Sequence, residues 1–232
     1  MELRDYQLDA IQKMKTGCIL NGGVGSGKSL TALSYYYIQN KGELSFLTGG
    51  KHSLMDDPPL DLYIITTARK RDTLEWEGEM SHFLLSTHDD INVYGNKVVV
   101  DSWNNIQKYK DVSNAFFIFD EQRVVGSGAW VKAFLTIAKN NKWILLSATP
   151  GDTWSDYIPV FIANGFYKNK TEFMREHAVF ARHTTFPKIE KYINTGRLLR
   201  QRRQILIDMD FKRETVQHHN DIYVDYDIAT YK

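Results

Sequence analysis

The chain is expected to be an α/β domain with a mainly parallel sheet covered by helices on both faces. Three observations predict this. A glycine-rich loop, Gly22 to Ser29, lies between a short apolar run, Cys18-Ile19-Leu20, and a helical stretch with Leu30, Ala32, Leu33 and Tyr36 to Ile38 on its apolar face. Further runs of strand length follow that are apolar at nearly every position, as strands buried between two helix layers are. Helical stretches fall between them, the alternation that a doubly wound sheet requires. At 232 residues the chain suits one full domain with an appendage, or a domain and part of another.

Composition narrows the class. Hydrophobic content of 43% and charged content of 25% are ordinary for a globular protein. Lys+Arg 29 against Asp+Glu 28 leaves +1, so any basic surface for nucleic acid has to be local. The single cysteine, Cys18, forms no intrachain disulfide and is expected to be a buried, reduced thiol. No stretch approaches the ~18 apolar residues of a membrane span, and the charged N-terminus is not a signal peptide, which points to the cytoplasm. There is no internal repeat and no low-complexity segment.

In chain order, Met1 to Lys15 reads as an amphipathic helix with Leu3, Tyr6, Ile11 and Met14 as apolar positions. It either docks on the core or brings the Gln7 amide, a donor and an acceptor, to an adenine edge. The loop Gly22-Gly23-Val24-Gly25-Ser26-Gly27-Lys28-Ser29 then meets the G-x-x-x-x-G-K-[ST] pattern. Glycines let successive N–H groups point at phosphates, the helix N-terminus adds positive potential, Lys28 reaches the β- and γ-phosphates, and the Ser29 hydroxyl takes Mg²⁺. The loop is read as a nucleotide site. Lys41 to Asp61 carries Gly, Pro and Asp clusters and reads as a long surface excursion, functional or simply tolerated.

Strands are expected at Leu62–Ile65, Ile91–Tyr94, Lys97–Val100, Ala115–Phe119 and Trp143–Leu146, with helices at Arg71 to Leu85, Trp103 to Tyr109 and Ala129 to Lys139. Ligands of such sheets gather at the carboxyl ends of the strands. There stand Asp120 and Glu121, which either hold Mg²⁺ and activate water or cap the next helix. Ser147-Ala148-Thr149 either relays hydrogen bonds from the γ-phosphate region or forms a plain ST-turn. Thr66 to Lys70 and Asp101-Ser102-Trp103 end two more strands. The hydroxyls of Thr67 and Ser102 with the bases Arg69 and Lys70 suit a phosphodiester backbone, or the bases mark a solvated helix start. Trp76 and Trp103 are read as packing residues rather than base-stacking platforms.

Together these stretches resemble the superfamily 2 helicases and translocases, in particular the Swi2/Snf2-like ATPases and phage DEAD/DEAH-type helicases. Leu3-Arg4-Asp5-Tyr6-Gln7 is similar to the family's Q-motif-like opening, and Gly22 to Ser29 to its motif I, the Walker A loop. Tyr63 to Met80, with Thr67, Arg69 and Trp76, resembles motif Ia and its W-x-x-E continuation, and Val98 to Trp103 motif Ib. Asp120-Glu121-Gln122-Arg123 stands at the DExx box and Ser147-Ala148-Thr149-Pro150 at motif III. The resemblance implies a RecA-like lobe that binds ATP and Mg²⁺, with Arg4 and Gln7 near the nucleotide and Thr67, Arg69, Lys70, Ser102 and Trp103 on one strand of nucleic acid, DNA by preference. Ser147 to Thr149 would couple the two sites. Three positions depart from the pattern: the DExx box ends in Gln-Arg, motif Ia lacks a proline before its basic residue, and Ser29 replaces threonine.

The resemblance divides the chain into a lobe at 1–165 and a helical extension and linker at 166–232, leading toward a second RecA-like lobe whose motifs IV to VI have no counterpart here. Leu198 to Arg203 resembles an L-x-x-x-R-R region, and Ile222 to Tyr231 the stretch before lobe two. From Lys168 to Glu214 there are 12 Lys/Arg against 6 Asp/Glu, either a solvated surface or a contact for DNA or the other lobe. Two other classes use the same loop: a small phosphoryl-transfer kinase, and a nucleotide-binding regulatory or split-subunit module.

Overall fold

The computed structural model describes residues 3–43, 54–56, 58–120, 124, 126, 128–182 and 186–211. Helix α1 (Asp5–Lys13) leads into β1 (Ile19–Asn21), the glycine-rich loop and α2 (Lys28–Gln39). Strand β2 (Leu62–Thr66) is followed by α3 (Ala68–Asp72) and α4 (Glu75–Ser81), and β3 (Val98–Ser102) by a 3₁₀ segment, Trp103–Tyr109. Next come β4 (Phe116–Asp120), α5 (Ala129–Asn140) and β5 (Lys142–Ser147). A 3₁₀ turn at Trp154–Tyr157 opens α6 (Ile158–Ala163). Helix α7 (Lys170–His177), a hairpin of β6 (Ala178–Phe180) and β7 (Ile189–Tyr192), α8 (Thr195–Ile205) and β8 (Leu206–Asp208) complete the described chain.

Six strands form one parallel sheet in the order β3-β2-β4-β5-β1-β8. The expected α/β architecture with a mainly parallel sheet is thus observed. The two-residue period of a strand sends its apolar residues to opposite faces. Ile64, Phe116, Ile118, Ile144 and Leu146 join α1, α2 and α4 in one core, whereas Tyr63, Ile65, Phe117, Phe119, Trp143 and Leu145 join α5 and α6 in the other. In the second core Phe134 meets Phe119 and Trp143 edge-on, with ring centroids 5.1 and 5.0 Å apart.

Two expectations are corrected and one strand is added. Ile91–Tyr94 is not a strand but part of a turn: the Asn92 side-chain amide donates to the Asn96 carbonyl at 2.6 Å, and Ile91 and Val93 are exposed. Asparagine here supplies a local partner that outcompetes a ladder. The helix expected over Arg71 to Leu85 is two helices, broken at Leu74, whose φ of 55° is left-handed. The bend sets the face of α4 that carries Trp76 and Glu79. Finally, a further parallel strand follows Pro150: β8 pairs with β1, placing Ile207 opposite Leu20. Three residues with one buried apolar side chain are too short to show a period. Residues 206–208, within the stretch read as extension, therefore belong to the main sheet. The stretch Ile222 to Tyr231 lies outside the described residues, as does much of the Lys41 to Asp61 excursion.

Among the described residues no helix is long and apolar enough to cross a membrane. Cys18 is fully buried, and burial pushes its thiol up to about 11. Iodoacetamide at pH 8 is expected to leave the native protein unlabelled and to label it in guanidinium; rapid native labelling would show β1 to be open. Phe134→Ala should cost about 3–5 kcal/mol, read as a lower urea midpoint at unchanged slope.

Candidate nucleotide site

A cleft of about 690 Å³ opens at the carboxyl ends of β1, β4 and β5. Val24, Gly25, Gly27, Lys28 and Ser29 line one side, Ser147, Ala148 and Thr149 another, and Lys70, Glu75, Glu79 and Asp120 the rest. Most groups that sequence assigned to phosphate, metal and coupling therefore meet in one place.

The loop's shape follows from its glycines. Gly25 and Gly27 have φ of 81° and 76°, a region that L side chains rarely adopt. A Cβ on Gly25 would meet nothing within 4 Å, so that position faces open space, as a surface for a ligand must. The loop is also braced from behind. The Gly22 N–H donates to the Ser147 carbonyl at 3.2 Å, and Ser26 is fully buried beside Met209. The Tyr6 hydroxyl donates to the Ser26 carbonyl at 3.1 Å, and Tyr6 packs against Phe211. Lys28 crosses the loop, its Nζ donating to the carbonyls of Gly22 at 2.6 Å and Gly23 at 3.0 Å.

Gln7 is placed differently from the adenine reading. It is buried; its Nε2 donates to the Gly27 carbonyl at 3.3 Å and to Thr31 Oγ1 at 3.2 Å, and its Oε1 accepts from the Arg4 N–H at 2.9 Å. The amide ties α1 to the loop, and a Cβ on Gly27 would lie 2.6 Å from Gln7 Nε2. Arg4 is exposed and does not line the cleft.

Asp120 is the most elaborately held residue. It is 1% exposed. Thr66 Oγ1 (2.8 Å), Lys70 Nζ (3.0 Å) and Trp76 Nε1 (3.2 Å) all donate to its Oδ2, while Trp103 Nε1 donates to its carbonyl at 2.9 Å. All three side-chain donors take the same oxygen. Ser29 and Asp120 offer hydroxyl and carboxylate oxygens, hard donors of the kind Mg²⁺ takes. Among the described residues no cluster of three His, Cys, Asp or Glu forms a protein cage for a metal. Glu121, expected to activate water, lies outside the described residues, as do Gln122 and Arg123.

The coupling and nucleic-acid groups separate. Ser147 Oγ accepts from the Thr149 N–H at 3.0 Å, so the ST-turn exists and also lines the cleft. Of the five residues expected on nucleic acid, Arg69 is exposed and Thr67 half-buried, its Oγ1 capping α3. Lys70 instead turns inward to Asp120. Ser102 and Trp103 are buried, with Ser102 Oγ accepting from Arg71 at 3.4 Å. Arg71 also pairs with Asp101; burial pushes the Asp101 carboxyl up, but hydrogen bonds from Asn105, Tyr109, the Ser102 N–H and Arg71 outweigh it and hold the group low. Trp76 packs as expected, yet its indole N–H serves Asp120. Thr66 and Glu79 fall within stretches that the sequence reading named, the strand end at Thr66 to Lys70 and the W-x-x-E continuation, but neither was given a role in the site.

No family model matches the chain, and no curated protein matches it in sequence. Solved structures share its fold. The Sulfolobus solfataricus SWI2/SNF2 ATPase core in complex with dsDNA aligns with a TM-score of 0.65 at 16% identity, over 90% of this chain and 44% of its own. The Sulfolobus solfataricus SWI2/SNF2 ATPase core domain aligns with a TM-score of 0.57 at 16% identity, over 90% and 43%. The likeness establishes a RecA-like α/β fold. This chain spans less than half the length of either structure.

Trp76→Phe keeps a ring but removes a donor from Asp120, and should cost roughly 2 kcal/mol in urea unfolding. Combined with Asp120→Asn the losses should fall short of their sum. Additivity within about 0.5 kcal/mol would show that the indole does not serve the carboxylate.

Proposed function

We propose that this chain is the ATP-binding lobe of a DNA-dependent ATPase of the superfamily 2 helicase or translocase type. The observation that carries the reading is the convergence of Lys28, Ser29, Asp120 and Ser147 to Thr149 on one cleft. The sequence motifs support it in the order in which the family carries them, and the RecA-like fold is compatible with it.

In this reading the loop N–H groups and Lys28 hold the β- and γ-phosphates, and the α2 N-terminus adds positive potential. Ser29 and Asp120 hold Mg²⁺, which when bound neutralises charge on the transferring phosphoryl group. Thr66 and Trp76 fix Asp120 from behind, so its orientation costs no rearrangement when nucleotide binds. Glu121, next along the chain, orients the attacking water and takes its proton. The Ser147 to Thr149 turn joins the loop strand, through the Gly22 N–H, to the surface beyond β5.

DNA enters through the family resemblance and through the dsDNA complex of the Sulfolobus ATPase core. On this chain Arg69 is exposed and Thr67 half-buried among the groups assigned to the backbone. Hydrolysis calls for a second RecA-like lobe, in cis or in trans, to supply an arginine finger. Such a residue is worth ~10³–10⁵ in rate in comparable phosphoryl transfer.

These 232 residues are therefore expected to bind Mg-ATP and to turn it over very slowly. Lys28→Ala should weaken ATP binding by at least about tenfold, measured by calorimetry. Brisk ATPase activity from this chain alone, abolished by Lys28→Ala, would contradict the need for a second lobe.

A further inference from the structure

Two lysines enter the cleft, from opposite sides of β4. Lys28 comes from the loop after β1, and Lys70 from α3 after β2. The Lys70 side chain is 19% exposed, and its Nζ lies 3.0 Å from Asp120 Oδ2. Because Asp120 is the carboxylate assigned to Mg²⁺, this ammonium stands at the edge of the metal position. A divalent cation there would repel it, so the lysine stays in the cleft only against compensating negative charge.

Besides Asp120, the lining offers two acids, Glu75 and Glu79, and a bound triphosphate would add its terminal phosphate. Glu75 already accepts from Thr73 Oγ1 at 3.1 Å, whereas Glu79 stands three residues beyond Trp76 on α4. Glu79 Oε2 is enclosed and has no hydrogen-bond partner among the described residues, an arrangement that costs stability unless a donor arrives in some state of the molecule. Burial pushes the Glu79 carboxyl up, while His82 and Lys70 draw it down. A lysine is suited to moving between these partners, being a compact charge on a flexible four-carbon stem.

We propose that Lys70 is a γ-phosphate ligand supplied by this lobe, bonded to the terminal phosphate of Mg-ATP and passed to Glu79 when only a diphosphate is bound. The inference rests on the ATP reading above and deepens it: the lobe tells ATP from ADP without help from a second lobe. Lys70 is thereby removed from the group of residues that grip nucleic acid.

The test is calorimetric affinity for Mg-ATP and Mg-ADP in the wild-type chain, Lys70→Met, Lys70→Arg and Glu79→Gln, each checked by thermal unfolding. Lys70→Met should weaken Mg-ATP by about 10–100-fold and Mg-ADP by less than about threefold, the worth of one charge-assisted hydrogen bond. Lys70→Arg should recover part of the loss, and Glu79→Gln should widen the preference for ATP by removing the diphosphate-state partner. Equal losses for the two nucleotides in Lys70→Met, or a preference unchanged in all three variants, overturns the proposal. In either case wild-type ATP binding that depends on Lys28 leaves the ATP reading standing. A wild-type chain that binds neither nucleotide overturns both.

Discussion

The hydrogen bonds on Asp120 are the constraint on which the functional end of the sheet depends. A carboxylate that is 1% exposed is costly to bury unless its oxygens are paired. Here the pairing comes from three separate elements: Thr66 at the end of β2, Lys70 on α3 and Trp76 on α4. Trp103, from the 3₁₀ segment after β3, holds the main chain of the same residue. The end of β2 and three pieces of chain that follow β2 and β3 are thus tied to the end of β4. The arrangement is directional, because all three side-chain donors take Oδ2. Two large indoles serve this one acid, and they belong to different cores, Trp76 to the one with α1, α2 and α4 and Trp103 to the one with α5 and α6.

The loop that faces Asp120 is held by residues far from it in sequence. Gln7 and Tyr6 brace it from α1, and Met209 and Phe211, just past β8, join them, Met209 beside Ser26 and Phe211 against Tyr6. The Asn21 side-chain amide donates to Asp208 at 2.7 Å, and the Met209 N–H donates to the Asn21 carbonyl at 2.8 Å, so the strand entering the loop is clamped at its last residue. A glycine-rich loop has high conformational entropy, and its N–H groups serve a phosphate only when the backbone is held in place. Here that ordering is supplied by both ends of the described chain. A substitution at Gln7 or Met209 acts on the loop through its backbone, although neither residue lines the cleft.

What could be read from the sequence follows from how local each signal is. Strands β2, β4 and β5 are legible because both their faces are buried and they form unbroken apolar runs. The loop is legible because four fixed positions and their flanks carry its chemistry. The strand expected at Ile91–Tyr94 fails because the preference of alternating Ile and Val yields to Asn92, whose amide donates to the Asn96 carbonyl and accepts from the Tyr94 N–H. β8 is hidden because its stability comes from pairing with β1, which no window of sequence contains. The inward turn of Lys70 is hidden for a similar reason. Arg69, Lys70 and Arg71 look alike as a basic run, yet the geometry of α3 sends one to solvent, one to Asp120 and one to Asp101. The partner, not the residue type, decides the role.

The central claim is that Asp120, with its two indoles, is where the metal-bound phosphates sit. The indole N–H resonances of Trp76 and Trp103 report on that residue directly, since both protons point at its atoms. Titrating Mg-ATP into ¹⁵N-labelled protein should shift both resonances with one saturation curve. The indole of Trp143, whose strand begins at the opposite end of the sheet, should remain in place. A titration in which Mg-ATP binds while Trp76 and Trp103 stay unmoved would contradict the account.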